Sequence, residues 1–250
     1  MSLSVTILTR NCEAVIGRCL GSVAWADEIV VVDSGSTDRT LEICREHGAK
    51  VHAGDAWPGF GPQKNRALGF ANGTWVFSLD SDEWITPQLR AEIERAIAAS
   101  GDTVAFMVPR SSSFCGRVMR HSGWWPDHVV RLFRRGSARF SEDLVHERLI
   151  VDGPVGRLQS PLMHEAIPDL EAVMDKANRY STASAAMRHR DGKRGSLFAA
   201  IVHGAWTFLR TYVFQLGFLD GREGFILAIA NAEGSYYRYL KLMLLNEKKP

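Results

Sequence analysis

Trp75-Val76-Phe77-Ser78-Leu79-Asp80-Ser81-Asp82-Glu83 is the stretch that decides the fold. A strand-like run stops at carboxylates, as strands of an α/β sheet do when they bring polar side chains to a ligand-binding rim. On an extended chain Asp80 and Asp82 leave the same side, so both are expected to reach one hard cation, which prefers oxygen ligands. Crowding Asp80, Asp82 and Glu83 together builds repulsion that a divalent ion would relieve. The plain alternative is a polar turn after a strand.

Upstream the pattern repeats. Ile29 to Val32 runs into Asp33-Ser34-Gly35-Ser36-Thr37-Asp38, and Val5 to Leu8 runs into Thr9-Arg10-Asn11. Helical signals at Glu13 to Ser22, Thr37 to His47 and Pro62 to Ala71 alternate with these strands and with a short one at Lys50 to His52. Such alternation predicts a parallel sheet covered by helices, with three polar clusters on one rim. Ser36 or Thr37 is expected to cap the next helix, with Asp38 in its first turn.

Downstream, Thr86 and Pro87 open an amphipathic helix to Ala99. Val104 to Pro109, Val129 to Phe133 and Leu149 to Val151 read as further strands of a mixed or antiparallel half. From about Leu170 the pattern becomes helical, through Glu171 to His189 and Leu197 to Leu216. The expected division is residues 1–169 as an α/β domain and 170–250 as a helical extension.

Composition narrows the function. With 250 residues and 46% hydrophobic content, the chain can bury a real core. A net charge of +2, with no zinc-finger spacing or basic aromatic stripe, argues against nucleic acid as a partner. Cys12, Cys19, Cys44 and Cys115 lack CxxC spacing and read as reduced, small apolar residues of a cytosolic protein. The N-terminus enters a strand pattern at once, without a signal-peptide pattern.

Taken in order, Thr9-x-Asn11, Val31-Val32-Asp33-Ser34-Gly35-Ser36-Thr37-Asp38 and Leu79-Asp80-Ser81-Asp82 resemble an inverting family 2 glycosyltransferase of the GT-A fold. Gln63-Lys64-Asn65-Arg66, Phe140 to Glu147 and Gly217-Phe218-Leu219-Asp220-Gly221 are closest to bacterial lipopolysaccharide core β-glucosyltransferases acting on inner-core heptose. The resemblance implies a mixed central sheet flanked by helices and transfer of a hexose from a nucleotide-diphosphate sugar, UDP-glucose in the nearest relatives. It places Thr9, Asn11, Asp33, Lys64, Arg66 and Asp80 on the donor. Asp82, Asp80 and His164 would meet Mg²⁺ or Mn²⁺.

An inverting transfer needs one base opposite the leaving group. The resemblance puts it in the Phe140–Glu147 segment, with Glu147 first, Asp143 as the alternative and Glu142 third. His146 and the adjacent indoles of Trp124 and Trp125 are assigned to the acceptor. Arg117, Arg120, Arg131, Arg134 and Arg135 would suit an acidic saccharide. Two other readings compete: an aspartyl-nucleophile phosphatase attacking through Asp80, and a noncatalytic saccharide- or lipid-binding module.

The tail completes the expectation. From Met187 to Pro250 the chain carries net +5, against −3 for the remainder. Leu197 to Leu219 is almost wholly apolar but interrupted by His203, Arg210 and Gln215, which disfavours a spanning helix. Flanking Arg188, Arg190, Lys193, Arg194, Lys248 and Lys249 suit anionic lipid. A lipid-linked acceptor would then be met at the inner face of the cytoplasmic membrane, while a core or dimer-forming helix is the other use of the same residues.

Overall fold

The computed structural model describes residues 1–54, 57–141 and 148–247, in two compact units. The first comprises Met1–Arg110 and Asp127–His164, the second Ser111–Pro126 and Glu165–Pro250.

Four parallel strands form the first unit's base: β1 (Leu3–Thr9), β2 (Glu28–Asp33), β3 (Lys50–Ala53) and β4 (Trp75–Asp80), in the order β3-β2-β1-β4. A strand from later in the chain, described below, runs antiparallel against β4, so the sheet is mixed. The intervening helices are α1 (Glu13–Ser22), α2 (Thr40–Glu46) and α3 (Phe60–Phe70); β5 (Glu83–Trp84) and α4 (Pro87–Ala98) follow β4. β6 (Ala105–Phe114) passes into the second unit, where β7 (Arg117–Val118) pairs with its end. β8 (Asp127–Arg134) is the antiparallel neighbour of both β4 and β6. β9 (Ala138–Phe140) and β10 (Leu149–Val151) pair with each other, and β11 (Val155–Arg157) joins β6. β12 (Leu162–Ile167) pairs with β5, setting His164 opposite Glu83.

Alternation along β1 decides what each face buries. Leu3, Val5 and Ile7 join Ile16 and Leu20 of α1 and Leu89 and Ile93 of α4 in the main core. Thr6 and Leu8 instead line a small space with Lys64 and Ala67 of α3. Thr86 caps α4 as expected, accepting from the Leu89 amide.

Two expectations need correction. α2 begins at Thr40, and neither Ser36 nor Thr37 caps it, because residues 36–38 are engaged by the loop after β1. The Thr37 amide donates to Asn11 Oδ1, and Asp38 accepts from the amides of Glu13 and Thr40. Nor do Asp80 and Asp82 share an extended strand. β4 ends at Asp80, and Ser81-Asp82 form a turn.

The second unit packs α5 (Leu170–Arg190), α6 (Leu197–Leu209) and α7 (Gly221–Glu247). Its core joins Phe114, Met119, Ile167, Val173 and Leu227. The expected helix to Leu216 stops sooner: a π-turn occupies Arg210–Phe214, Leu216 adopts a left-handed φ of +56°, and a 3₁₀ turn spans Gly217–Asp220. α6 buries two small residues, Ala200 and Gly204, the latter close to Ala232 and Tyr236 of α7. Its large apolar side chains face outward, with Phe198 78% and Trp206 52% exposed.

Candidate active site

The parallel register sets Thr9 beside Asp33 at the carboxyl ends of β1 and β2. Thr9 Oγ1 donates to Asp33 Oδ1 at 2.9 Å, and Ser36 Oγ donates to the same oxygen at 2.5 Å. Asp33 Oδ2 accepts from the amides of Gly35 and Ser36 at 3.0 and 2.9 Å. Asp33 is fully buried, so its carboxylate shapes the turn from within. Asn11, left-handed at φ +48°, accepts from Thr37 N–H at 2.8 Å and donates its own amide to Ser36 Oγ. The two loops are thereby laced into one surface.

α3 ties this surface to two further strand ends. Gln63 Nε2 donates to Ser34 Oγ at 2.9 Å, and Lys64 Nζ lies 3.1 Å from Asp80 Oδ1. Asn65 exchanges two hydrogen bonds with the Phe140 backbone, both 2.8 Å. Lys64 is therefore part of the rim and not of a solvated helix face, which is where Arg66 lies, beside Gly54 and Phe70.

Asp80 belongs to an alternating chain of six charges. Lys64 holds one oxygen; Arg131 Nη2 holds the other at 2.5 Å and also meets Glu83 Oε1 at 2.6 Å. Glu83 lies 3.5 Å from Arg110, which pairs with Asp127 at 2.7 Å. Burial opposes ionisation of Asp80, but Arg131 and Lys64 outweigh it and hold the carboxyl well below its usual range. Burial pushes Glu83 up, opposed by Arg131 and reinforced by Asp80. Arg131 was assigned above to an acidic acceptor; it is buried within the protein's own carboxylates. Arg134 is likewise structural, donating to Ser100 Oγ and the Gly101 carbonyl.

Asp82 has a different setting. Its side chain is 39% exposed, and Oδ2 lies 3.4 Å from His164 Nε2. Among the described residues no group of three His, Cys, Asp or Glu could hold a metal ion. Asp82 and His164 can nevertheless supply two donors and leave positions for phosphate oxygens and water, a set that fits a divalent cation bound together with a diphosphate. The imidazole favours Mn²⁺ over Mg²⁺.

The thiols take no part. All four are free; Cys19 and Cys44 are buried, Cys12 and Cys115 half-buried. Burial raises each pKa, that of Cys44 to about 12. Glu142, Asp143, His146 and Glu147 lie outside the described residues. The charge chain had only partial signals in the sequence: Glu83 follows the paired aspartates, but its partners Arg131 and Arg110 come from distant strands.

An aspartyl phosphatase would attack through Asp80. Here two cations occupy its oxygens, which lowers its nucleophilicity.

Comparison with known proteins agrees with this geometry. Residues 4–152 match glycosyl transferase family 2. The lipopolysaccharide core biosynthesis glycosyltransferase LpsC of Rhizobium meliloti is 32% identical over 96% of this chain and 90% of its own. An uncharacterized glycosyltransferase of Rickettsia typhi, RT0209, is 29% identical over 98% and 88%. In fold, the chain is similar to S. aureus TarS 1-349 in complex with UDP-GlcNAc, at TM-score 0.53 and 16% identity over 99% of this chain and 92% of that one. The match over more than half its length and the LpsC likeness establish that the chain belongs to glycosyl transferase family 2, as an enzyme of the GT-A fold.

Proposed function

We propose that the enzyme transfers glucose from UDP-glucose, with inversion, to a heptose of the lipopolysaccharide inner core at the cytoplasmic membrane face. The observation that carries the donor half is the Asp82–His164 pair, 3.4 Å apart beside an Asp80 already neutralised by Lys64 and Arg131. The acceptor half is supported by the likeness to LpsC along nearly the whole chain.

In this reading Thr9, Asn11 and Asp33 shape the nucleotide surface, Asp33 by holding the Gly35–Thr37 turn. Lys64 and Arg131 fix Asp80, while Arg66 lies farther along α3 as a positive donor for the nucleotide. Asp82 and His164 would hold a divalent cation, whose charge would offset that developing on the departing diphosphate. Glu147, with Asp143 as the alternative, takes the proton from the attacking heptose hydroxyl. The new bond forms at the anomeric carbon as its bond to the diphosphate oxygen breaks. Trp124 and Trp125, with His146, contact the acceptor.

Calorimetric titration with UDP, UDP-glucose, GDP-mannose and ADP-sugars, with Mn²⁺, Mg²⁺ or chelator, tests the donor assignment. Cation-dependent binding of UDP-glucose is expected; preference for another nucleotide would overturn that donor. Glu147→Gln is expected to keep UDP-glucose affinity and lose transfer to heptose-terminated inner core by about a hundredfold or more. Unchanged turnover would reject Glu147 as the base.

A further inference from the structure

The segment Gly217–Gly221 has no place in the chemistry above, yet it contains a buried carboxylate that serves one loop. Asp220 is 1% exposed. Its Oδ1 accepts from the Arg120 amide at 3.0 Å and lies 3.3 Å from His121 Nδ1. Its Oδ2 accepts from the His121 amide at 3.0 Å and the Ser122 hydroxyl at 3.1 Å. Three consecutive residues thus converge on a single side chain.

The loop they belong to needs such a hold. Ser122 is left-handed at φ +60° and Gly123 follows at φ +77°. A non-glycine residue stays in that region only where its surroundings over-determine it. Here Asp220 holds the Ser122 hydroxyl, and the Gln215 carbonyl accepts the Ser122 amide at 2.8 Å. The turn closes through Trp124 N–H to the His121 carbonyl, and the Trp124 ring meets Phe114 edge-on at 5.9 Å. Arg120 covers Trp125 at 5.0 Å.

Glycines let the clamp close. A β-carbon on Gly224 would fall 1.9 Å from the Gly217 carbonyl oxygen, and one on Gly217 would fall 2.7 Å from the Thr211 carbonyl oxygen. A carboxylate can only accept, so His121 Nδ1 carries a proton toward Asp220 Oδ1.

We infer that Asp220 is the positioning residue of the acceptor-side loop, holding Arg120–Trp125 as a preformed sugar platform and fixing a proton on His121 Nδ1. The inference rests on the reading of Trp124 and Trp125 as acceptor contacts.

Wild type, Asp220→Asn and Trp125→Ala are compared with UDP-glucose as donor and heptose-terminated inner-core lipopolysaccharide as acceptor. Asp220→Asn turns an amide NH₂ toward donors, and is expected to raise acceptor KM about tenfold or more. UDP-glucose affinity and acceptor-independent UDP-glucose hydrolysis should stay unchanged. If Asp220→Asn does not fold, Ser122→Ala removes one donor and is expected to raise acceptor KM about threefold. Loss of UDP-glucose affinity in parallel would make Asp220 a general fold residue and overturn the inference. An unchanged KM in Asp220→Asn with a raised KM in Trp125→Ala would overturn it while sparing the loop reading; unchanged KM in both would overturn that reading and the inference with it. Hydrogen exchange gives a readout independent of the acceptor: the Arg120 and His121 amides should lose protection in Asp220→Asn while β1 and β2 keep theirs. Unchanged protection at those two amides would also overturn it.

Discussion

Asp80 and Asp82 stand two positions apart and are handled in opposite ways. Asp80 is locked between Lys64 and Arg131, whereas Asp82 faces His164 with a side chain 39% exposed. Arg131 controls this difference, since it satisfies both Asp80 and the fully buried Glu83. Arg131→Met would leave the buried Glu83 with only the longer 3.5 Å contact to Arg110, and breaking a buried pair from one side costs about 3–5 kcal/mol. A lowered urea midpoint is expected, and a second change, Glu83→Leu, should recover part of the loss because the stranded charge is gone. If the single variant kept wild-type stability, the charge chain would not be holding the rim. The two aspartates were legible in the sequence as a rim feature. The role of Arg131 was not, because its neighbours follow from the antiparallel register of β8 on β4, Phe77 opposite Leu132, and a register is a tertiary fact.

At the scale of elements, each strand of the parallel base is pinned at both ends, and the end away from the rim depends on Glu28. Its carboxylate accepts from Ser4 Oγ, the Asn72 amide and side chain, and Lys50. Burial alone would raise its pKa, but Lys50, Ser4 and Asn72 outweigh burial and bring it from 4.5 down to about 2. A depressed folded-state pKa means stabilisation that is complete above the unfolded value and disappears as pH falls through the folded one. Glu28 should therefore contribute about 2–3 kcal/mol near neutrality and lose it between about pH 5 and pH 2. Against Glu28→Gln, the wild-type advantage in denaturant unfolding should shrink over that window. An advantage independent of pH would show that shape, not charge, matters there. β1, α1, β2 and α4 were readable from apolar spacing and caps. α3 was found but its importance was hidden, since its inward face carries Gln63 and Lys64, and hydrophobic periodicity does not mark a buried polar face. α2 starts late for a similar reason: Thr37 and Asp38 are taken by Asn11 and Glu13, a contact no local signal announces.

For the whole molecule, the apolar and basic tail foretold helices but not which way they would turn. A helix at the heart of a water-soluble fold buries its large side chains; α6 buries Ala200 and Gly204 and leaves Phe198, Ile201, Trp206 and Leu209 exposed. Leu197–Phe214 is long and apolar enough to cross a membrane by length and composition. Yet Arg210 opens a π-turn inside it, and a charge within a span is costly. Exposed Phe214, Phe218 and Leu219 continue the apolar surface past that turn, and net +5 accompanies it. This pattern suits a helix lying in the interface plane, its aromatic side chains among the acyl chains and its basic groups at the headgroups. The full chain is therefore expected to co-sediment with vesicles of phosphatidylglycerol and phosphatidylethanolamine, more weakly with phosphatidylcholine alone, and less at high salt. Phe198→Ser with Phe214→Ser removes two exposed rings without touching the small-residue face on α7, so partitioning should fall about tenfold or more while UDP-glucose binding stays intact. Binding that ignored lipid charge, or survived the double substitution, would assign the outward face of α6 to contact with another protein chain instead.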